Sequence, residues 1–113
     1  MDADVSYLYL FGFSPRRSCH LDRLLPVINR QQRKGEKIGI VLLHDAVIGS
    51  TSPGTTPQSI LQLLSMATKV FALVPDLEAR GLKQTDLLPQ ISPLTYDDLV
   101  DLLAGVPKVA TWV

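Results

Sequence analysis

The feature that most restricts the fold of this chain is an alternation of short apolar runs with amphipathic stretches, five times over. Val5 to Phe13 is almost continuously apolar and aromatic, as expected of a strand buried on both faces. Ser14-Pro15 then reads as a helix N-cap followed by proline at the first helical position. That helix should run to about Lys34, carried by Leu21, Leu24, Leu25 and Ile28, with Gly35 as its stop and Pro26 kinking or splitting it. Lys37 to Leu43 is a second buried strand, and residues 49–57 are a Gly/Ser/Thr/Pro loop by composition. A helix opening near Thr56-Pro57 carries Ile60, Leu61, Leu63, Leu64 and Ala67. Lys69 to Val74 is a third strand, and Pro75 to Gly81 a short helix with proline at its start and glycine after its end. Ile91 to Leu94 is a weak fourth strand. Thr95 caps a helix over Tyr96 to Ala104, with Asp97 and Asp98 suited to its N-terminal dipole. Lys108 to Trp112 is the last strand.

Strands alternating with helices predict an α/β fold of three layers, α/β/α, around an open, mainly parallel five-stranded sheet of flavodoxin-like general character. Connections between parallel strands should be right-handed. With 113 residues, no internal repeat and no linker, the chain reads as a single domain over 1–113. Eleven basic residues balance eleven acidic ones. That leaves no overall electrostatic footprint for nucleic acid, so direct nucleic-acid binding is not expected, and little self-repulsion opposes oligomerisation. No stretch approaches the ~20 apolar residues of a bilayer span. The acidic start Met1-Asp2-Ala3-Asp4 is unlike a secretory signal. Cys19 is the only cysteine. It can form neither an internal disulfide nor a multi-cysteine metal site, and it suits a reducing cytoplasm.

Four places could carry chemistry. Cys19 would lie within about the first turn and a half of the first helix, near the positive end of its dipole and beside Arg16 and Arg17, with His20 following. A nucleophile or sulfur carrier fits that setting, and so does a small buried filler. His44-Asp45, at the end of the second strand, could be a general base and its orienter. Adjacent strand residues point apart, however, so a solvated His and an Asp bonded to loop backbone is the plainer reading. The loop at 49–57 could cradle a phosphate ahead of a helix, but it has neither GxGxxG nor GxxxxGK[ST] spacing. A flexible loop or a subunit contact accounts for it as well. Arg30, Arg33, Lys34 and Lys37 could meet a phosphate backbone, or simply suit a helix C-terminus. No Ser/His/Asp triad, HExxH, CxxC or close His/Asp metal cluster is present. No cofactor or metal is therefore expected, and the residues of a self-sufficient enzyme are missing.

The second half of the chain carries more specific signals. Val70 to Gly81, ending in Asp76-Leu77-Glu78-Ala79-Arg80-Gly81, resembles the strand–DLxARG segment of the TusB/DsrH family of sulfur-relay proteins. Gln90-Ile91-Ser92, Tyr96-Asp97-Asp98-Leu99-Val100 and Trp112 match that family's following strand, helix start and C-terminal Trp. His44-Asp45-Ala46-Val47 resembles its Asp-Gly-Val strand end, with Ala46 in place of Gly, and Ser14-Pro15 its early Ser-Pro. The resemblance implies a DsrE-like fold and a role in passing sulfane sulfur between thiols, toward 2-thiouridine in tRNA or into sulfur oxidation. It implies an accessory or interaction subunit that works with DsrE/TusD-like and DsrF/TusC-like subunits and a TusA-like carrier, in a homo- or hetero-oligomer. In the related subunits the persulfide-bearing Cys sits on the DsrE/TusD chain, and here Cys19 would be a secondary sulfur acceptor. Two other readings stay open at this point: a homo-oligomeric sulfurtransferase using Cys19, and a small-ligand or nucleotide-binding module using the 49–57 loop.

Overall fold

The computed structural model describes residues 5–113, so the acidic N-terminal residues lie outside the described part. Five strands form one sheet: β1 (Tyr7–Phe11), β2 (Ile38–Leu42), β3 (Lys69–Leu73), β4 (Ile91–Leu94) and β5 (Lys108–Trp112). Their order is β4-β3-β2-β1-β5, and every neighbouring pair is parallel. Four helices connect them: α1 (His20–Arg33), α2 (Gln58–Ser65), α3 (Val74–Ala79) and α4 (Tyr96–Gly105). A single 3-10 turn over His44–Val47 follows β2, and another over Gln84–Asp86 precedes β4.

The strand order explains the layers. From β1 to β4 the chain steps in one direction across the sheet, and right-handed crossovers then put α1, α2 and α3 on one face. The return from β4 to β5 runs the other way and puts α4 on the opposite face. Two buried clusters record this division. Tyr9, Phe11, Ile38, Ile40, Leu42, Val70, Ala72 and Ile91 pack with Leu21, Leu24, Leu25 and Ile28 of α1, Ile60 and Leu63 of α2, and Leu77 of α3. Leu8, Val41, Phe71, Leu73 and Leu94 pack with Leu102 of α4. Alternate residues of each strand feed alternate clusters, which is why β2 is buried at all five positions.

Two expectations at the first helix need correcting. α1 begins at His20 rather than Pro15. Ser14 and Pro15 start only a single turn: the Ser14 carbonyl accepts from the N–H groups of Arg17 and Ser18 and from Ser18 Oγ. Pro26 does not split the helix, which runs on as one element to Arg33. It faces solvent, where water can satisfy the carbonyl its missing N–H leaves unbonded. Leu24, Leu25 and Ile28, beside it in sequence, hold that turn against the sheet. β1 is also shorter than its apolar run. At the helix end the expectation stands, with Gly35 at φ +91° just past the C-cap residue Lys34. Thr95 caps α4 through its side chain, which accepts from Asp98 N at 3.1 Å.

Tyr9 ties β1 to α1. Its hydroxyl donates to Gln31 Oε1 at 2.6 Å. Burial, and then the neighbouring Tyr7, push its pKa above the ordinary 10.0. In the unfolded chain Tyr9 therefore ionises first, so its contribution to stability is complete below pH 10 and is lost as pH rises beyond it. Tyr9→Phe is expected to flatten the alkaline loss of stability, measured as the change in urea midpoint between about pH 9 and about pH 11. An unchanged slope in the variant would contradict this.

Candidate functional site

In an open α/β sheet, functional groups gather beyond the carboxyl ends of the strands. Here that edge carries four features: the turn and Cys19 after β1, the His44 turn after β2, the start of α3 after β3, and the chain end after β5.

Cys19 occupies the N-cap position of α1, one step outside the helix rather than inside its first turn and a half. Its carbonyl accepts from Arg23 N at 3.2 Å, but its side chain makes no capping bond. The thiol is free and exposed, so the small-filler reading is set aside. Of the two arginines expected beside it, Arg16 turns away and donates from Nη2 to the Thr55 carbonyl at 2.7 Å. His20 stacks face to face on Phe13, with ring centroids 3.8 Å apart and planes inclined by 8°. Its Nδ1 is buried with no hydrogen-bond partner among the described residues. Phe13 continues to Phe11 (5.9 Å), and Phe11 to Trp112 (6.4 Å), so aromatic rings run from the end of β5 to the residue after Cys19. First-turn N–H groups that make no backbone hydrogen bond among the described residues, an exposed thiol and an aromatic wall suit a thiol that exchanges sulfur with an incoming partner.

The second candidate resolves differently from either expectation. His44 and Asp45 lie in a 3-10 turn rather than at the end of an extended strand. Asp45 does not orient His44, because Asp45 Oδ1 accepts from Arg80 Nε at 3.0 Å. Asp76 Oδ2 accepts from the backbone N–H of His44 at 2.7 Å, and Arg80 lies 3.8 Å from Asp76 Oδ1. The conspicuous residues of the DLxARG segment are thus a clasp. Asp76 and Arg80, within α3 and just past its end, hold the turn after β2. His44 is the only non-glycine residue at positive φ (51°) among those described, and Asp76 pins its amide. The imidazole lies over Gly12, where an added Cβ would come within 3.3 Å of His44 Nδ1 and 2.8 Å of Val113 Cγ1. Sequence reasoning missed this clasp, although the i,i+4 spacing of Asp76 and Arg80 was a signal for it.

Asp76→Ala is expected to lower stability by about 2 kcal/mol, since it removes the charged, mostly buried acceptor that holds the His44 N–H. Melting should fall by roughly 8 °C. Asp76→Asn keeps an acceptor oxygen and should lose less than half of that. Thermal melts followed by circular dichroism check both, and two variants melting with the native chain would contradict the clasp.

The remaining candidates separate in space. Within 49–57, Ser50 and Thr51 are buried. Thr51 bridges to Leu87, and Ser50 O accepts from Leu88 N, so half of this loop is an ordered extension of the core. Arg30, Arg33 and Lys34 are exposed in and just past the last turn of α1, at the far end of a 14-residue helix from Cys19. That places them about 20 Å from the thiol.

Comparisons with known proteins agree with one another. The family model described as "DsrH like protein" matches residues 13–109. A curated relative, Protein TusB of Pectobacterium parmentieri, is 30% identical over 105 residues, covering 93% of this chain and 99% of the relative. Among solved structures, the ychN protein from E. coli superposes with a TM-score of 0.76 at 19% identity, over 96% of this chain and 99% of that one. A protein of unknown function from Methanobacterium thermoautotrophicum superposes with a TM-score of 0.67 at 14% identity, over 93% and 96%. The two structures speak for the fold, which is of the DsrE-like kind with its sheet wholly parallel. The family match and the TusB relative speak for descent: this chain belongs to the DsrH family.

Proposed function

We propose that this chain is a single-domain subunit of a cytoplasmic sulfur-relay complex, docking with DsrE- and DsrF-like subunits and holding sulfur on Cys19 in transit. The observation that carries the reading is an exposed, uncapped thiol at the start of α1, the only thiol of a chain in the DsrH family. The chemistry needs one thiol and two partners. The Cys19 thiolate attacks the outer sulfur of a donor persulfide, the donor's S–S bond breaks, and the donor leaves as a thiolate that takes up a proton. Cys19 then carries the persulfide, and an acceptor thiolate repeats the step on its outer sulfur. With no second cysteine to resolve the persulfide within the chain, donor and acceptor both lie outside it, a TusA-like carrier among them. An unpaired exposed thiol also suits a reducing compartment.

Tagged chain recovered from its own cell extract is expected to bring down DsrE- and DsrF-like proteins in one species of defined mass. Recovery as a homo-oligomer alone, with no such partner, would sink the assembly part of the proposal.

A further inference from the structure

A cleft of about 520 Å³ opens between the turn after β1 and the start of α2, away from the clasp. Arg16, Asp22, Gln58 and Ser59 supply its charged and longer polar side chains, with Thr55 and Thr56 on the rim. Three observations mark one wall as a receptor for negative charge. The N–H groups of Gln58 and Ser59, first in an eight-residue helix, make no backbone hydrogen bond among the described residues, whereas those of Ile60 and Leu61 both go to the Pro57 carbonyl. The Thr55 carbonyl, one turn before Ser59, is taken by Arg16 instead. Ser59 is only 5% exposed. It lines the cleft, and its hydroxyl makes no hydrogen bond among the described residues. The hydroxyl oxygen itself is not sealed from solvent, so it is open to a ligand that enters the cleft. Arg16 holds the loop with one N–H, close to Gly49 and Gly54, and keeps four further donors.

We propose that this wall binds a small tetrahedral oxyanion such as phosphate, sulfate or thiosulfate, free or as the terminal group of a larger molecule. The anion is held by the Gln58 and Ser59 N–H groups, Ser59 Oγ and the Arg16 guanidinium. Two backbone donors at a helix N-terminus, a hydroxyl and a guanidinium form a cradle of donors that favours an anion over a neutral ligand. The Asp22 carboxylate, which also lines the cleft, opposes it and limits its affinity. The site is independent of Cys19 chemistry and needs no partner chain.

Amide NMR titrations of the full chain with inorganic phosphate, thiosulfate and adenosine monophosphate, against chloride at matched ionic strength, test it. Saturable shifts centred on Gln58 and Ser59 are expected. Arg16→Gln should weaken binding about tenfold, the equivalent of one charged hydrogen bond, and Ser59→Ala about fivefold. Asp22→Asn should tighten it severalfold. Tighter binding of adenosine monophosphate than of phosphate would identify a terminal group, and equal or weaker binding a free oxyanion. Because Arg16 and Asp22 are exposed, the variant spectra should overlay that of the native chain outside the segment around Thr55, whose carbonyl Arg16→Gln releases. Shifts that rise linearly without saturating, or that are the same in Arg16→Gln, would overturn the proposal.

Discussion

Phe11→Ala is expected to cost about 4 kcal/mol, roughly twice the loss expected for Asp76→Ala. Phe11 is fully buried at the end of β1, the strand flanked by β2 and β5, where it pairs with Leu42 and Trp112. Its ring meets Phe13 on the way to α1 and Trp112 on the way to the chain end. Truncation removes a large apolar surface and leaves a cavity among parallel strands that cannot close independently. Loss of the aromatic pairs adds to the cost. Urea unfolding should show a lower midpoint with an unchanged slope, and melting should fall by roughly 16 °C. Phe11→Leu, which refills most of the volume, should recover more than half of the loss. Trp112 should report the same event locally through an altered emission maximum. A loss below about 1.5 kcal/mol for the alanine variant would contradict the packing described around β1.

The other large effect is functional. Cys19→Ser is expected to leave stability within ~0.5 kcal/mol of native, because the thiol is exposed and caps nothing. The same change should abolish passage of labelled sulfur from a persulfide donor through this chain to an acceptor thiol, since a hydroxyl cannot hold sulfane sulfur. The pairing of an unchanged melt with lost transfer separates a chemical role from a structural one. Transfer at the native rate in the serine variant would move the sulfur site to another subunit.

Much of the fold was legible because it rests on local patterns. The bounds of β4 and β5, the Thr95 cap of α4 and the Gly35 stop of α1 all follow from residues within a few positions of each event. The start of α1 did not follow, for a physical reason. Ser14-Pro15 is a true turn-starting signal, but a nucleated helical turn continues only where burial supports it. Pro15, Arg16 and Arg17 bury little, whereas Leu21, Leu24, Leu25 and Ile28 bury nearly everything. The sheet order and the side of α4 depend on non-local pairing, which no window of sequence contains.

The candidate site divides in the same way. Cys19 could be named from sequence because a lone thiol near a helix start is a local fact, yet its exposure depends on the helix starting at His20. The His44-Asp45 pair looked catalytic because neighbours in sequence invite pairing. The structure instead joins Asp45 to Arg80 across 35 positions and gives the His44 amide to Asp76. The residues from Asp76 to Gly81 therefore serve chiefly the folding of this chain, while the proposed sulfur chemistry falls to a less conspicuous position.

The intact mass of the chain after incubation with a persulfide donor tests that assignment most directly. A gain of one sulfur atom is predicted for the native chain, reversed by reductant and missing in Cys19→Ser. No gain in the native chain, or the same gain in the serine variant, would contradict Cys19 as the carrier and leave this chain a structural partner whose complex holds its reactive thiol elsewhere.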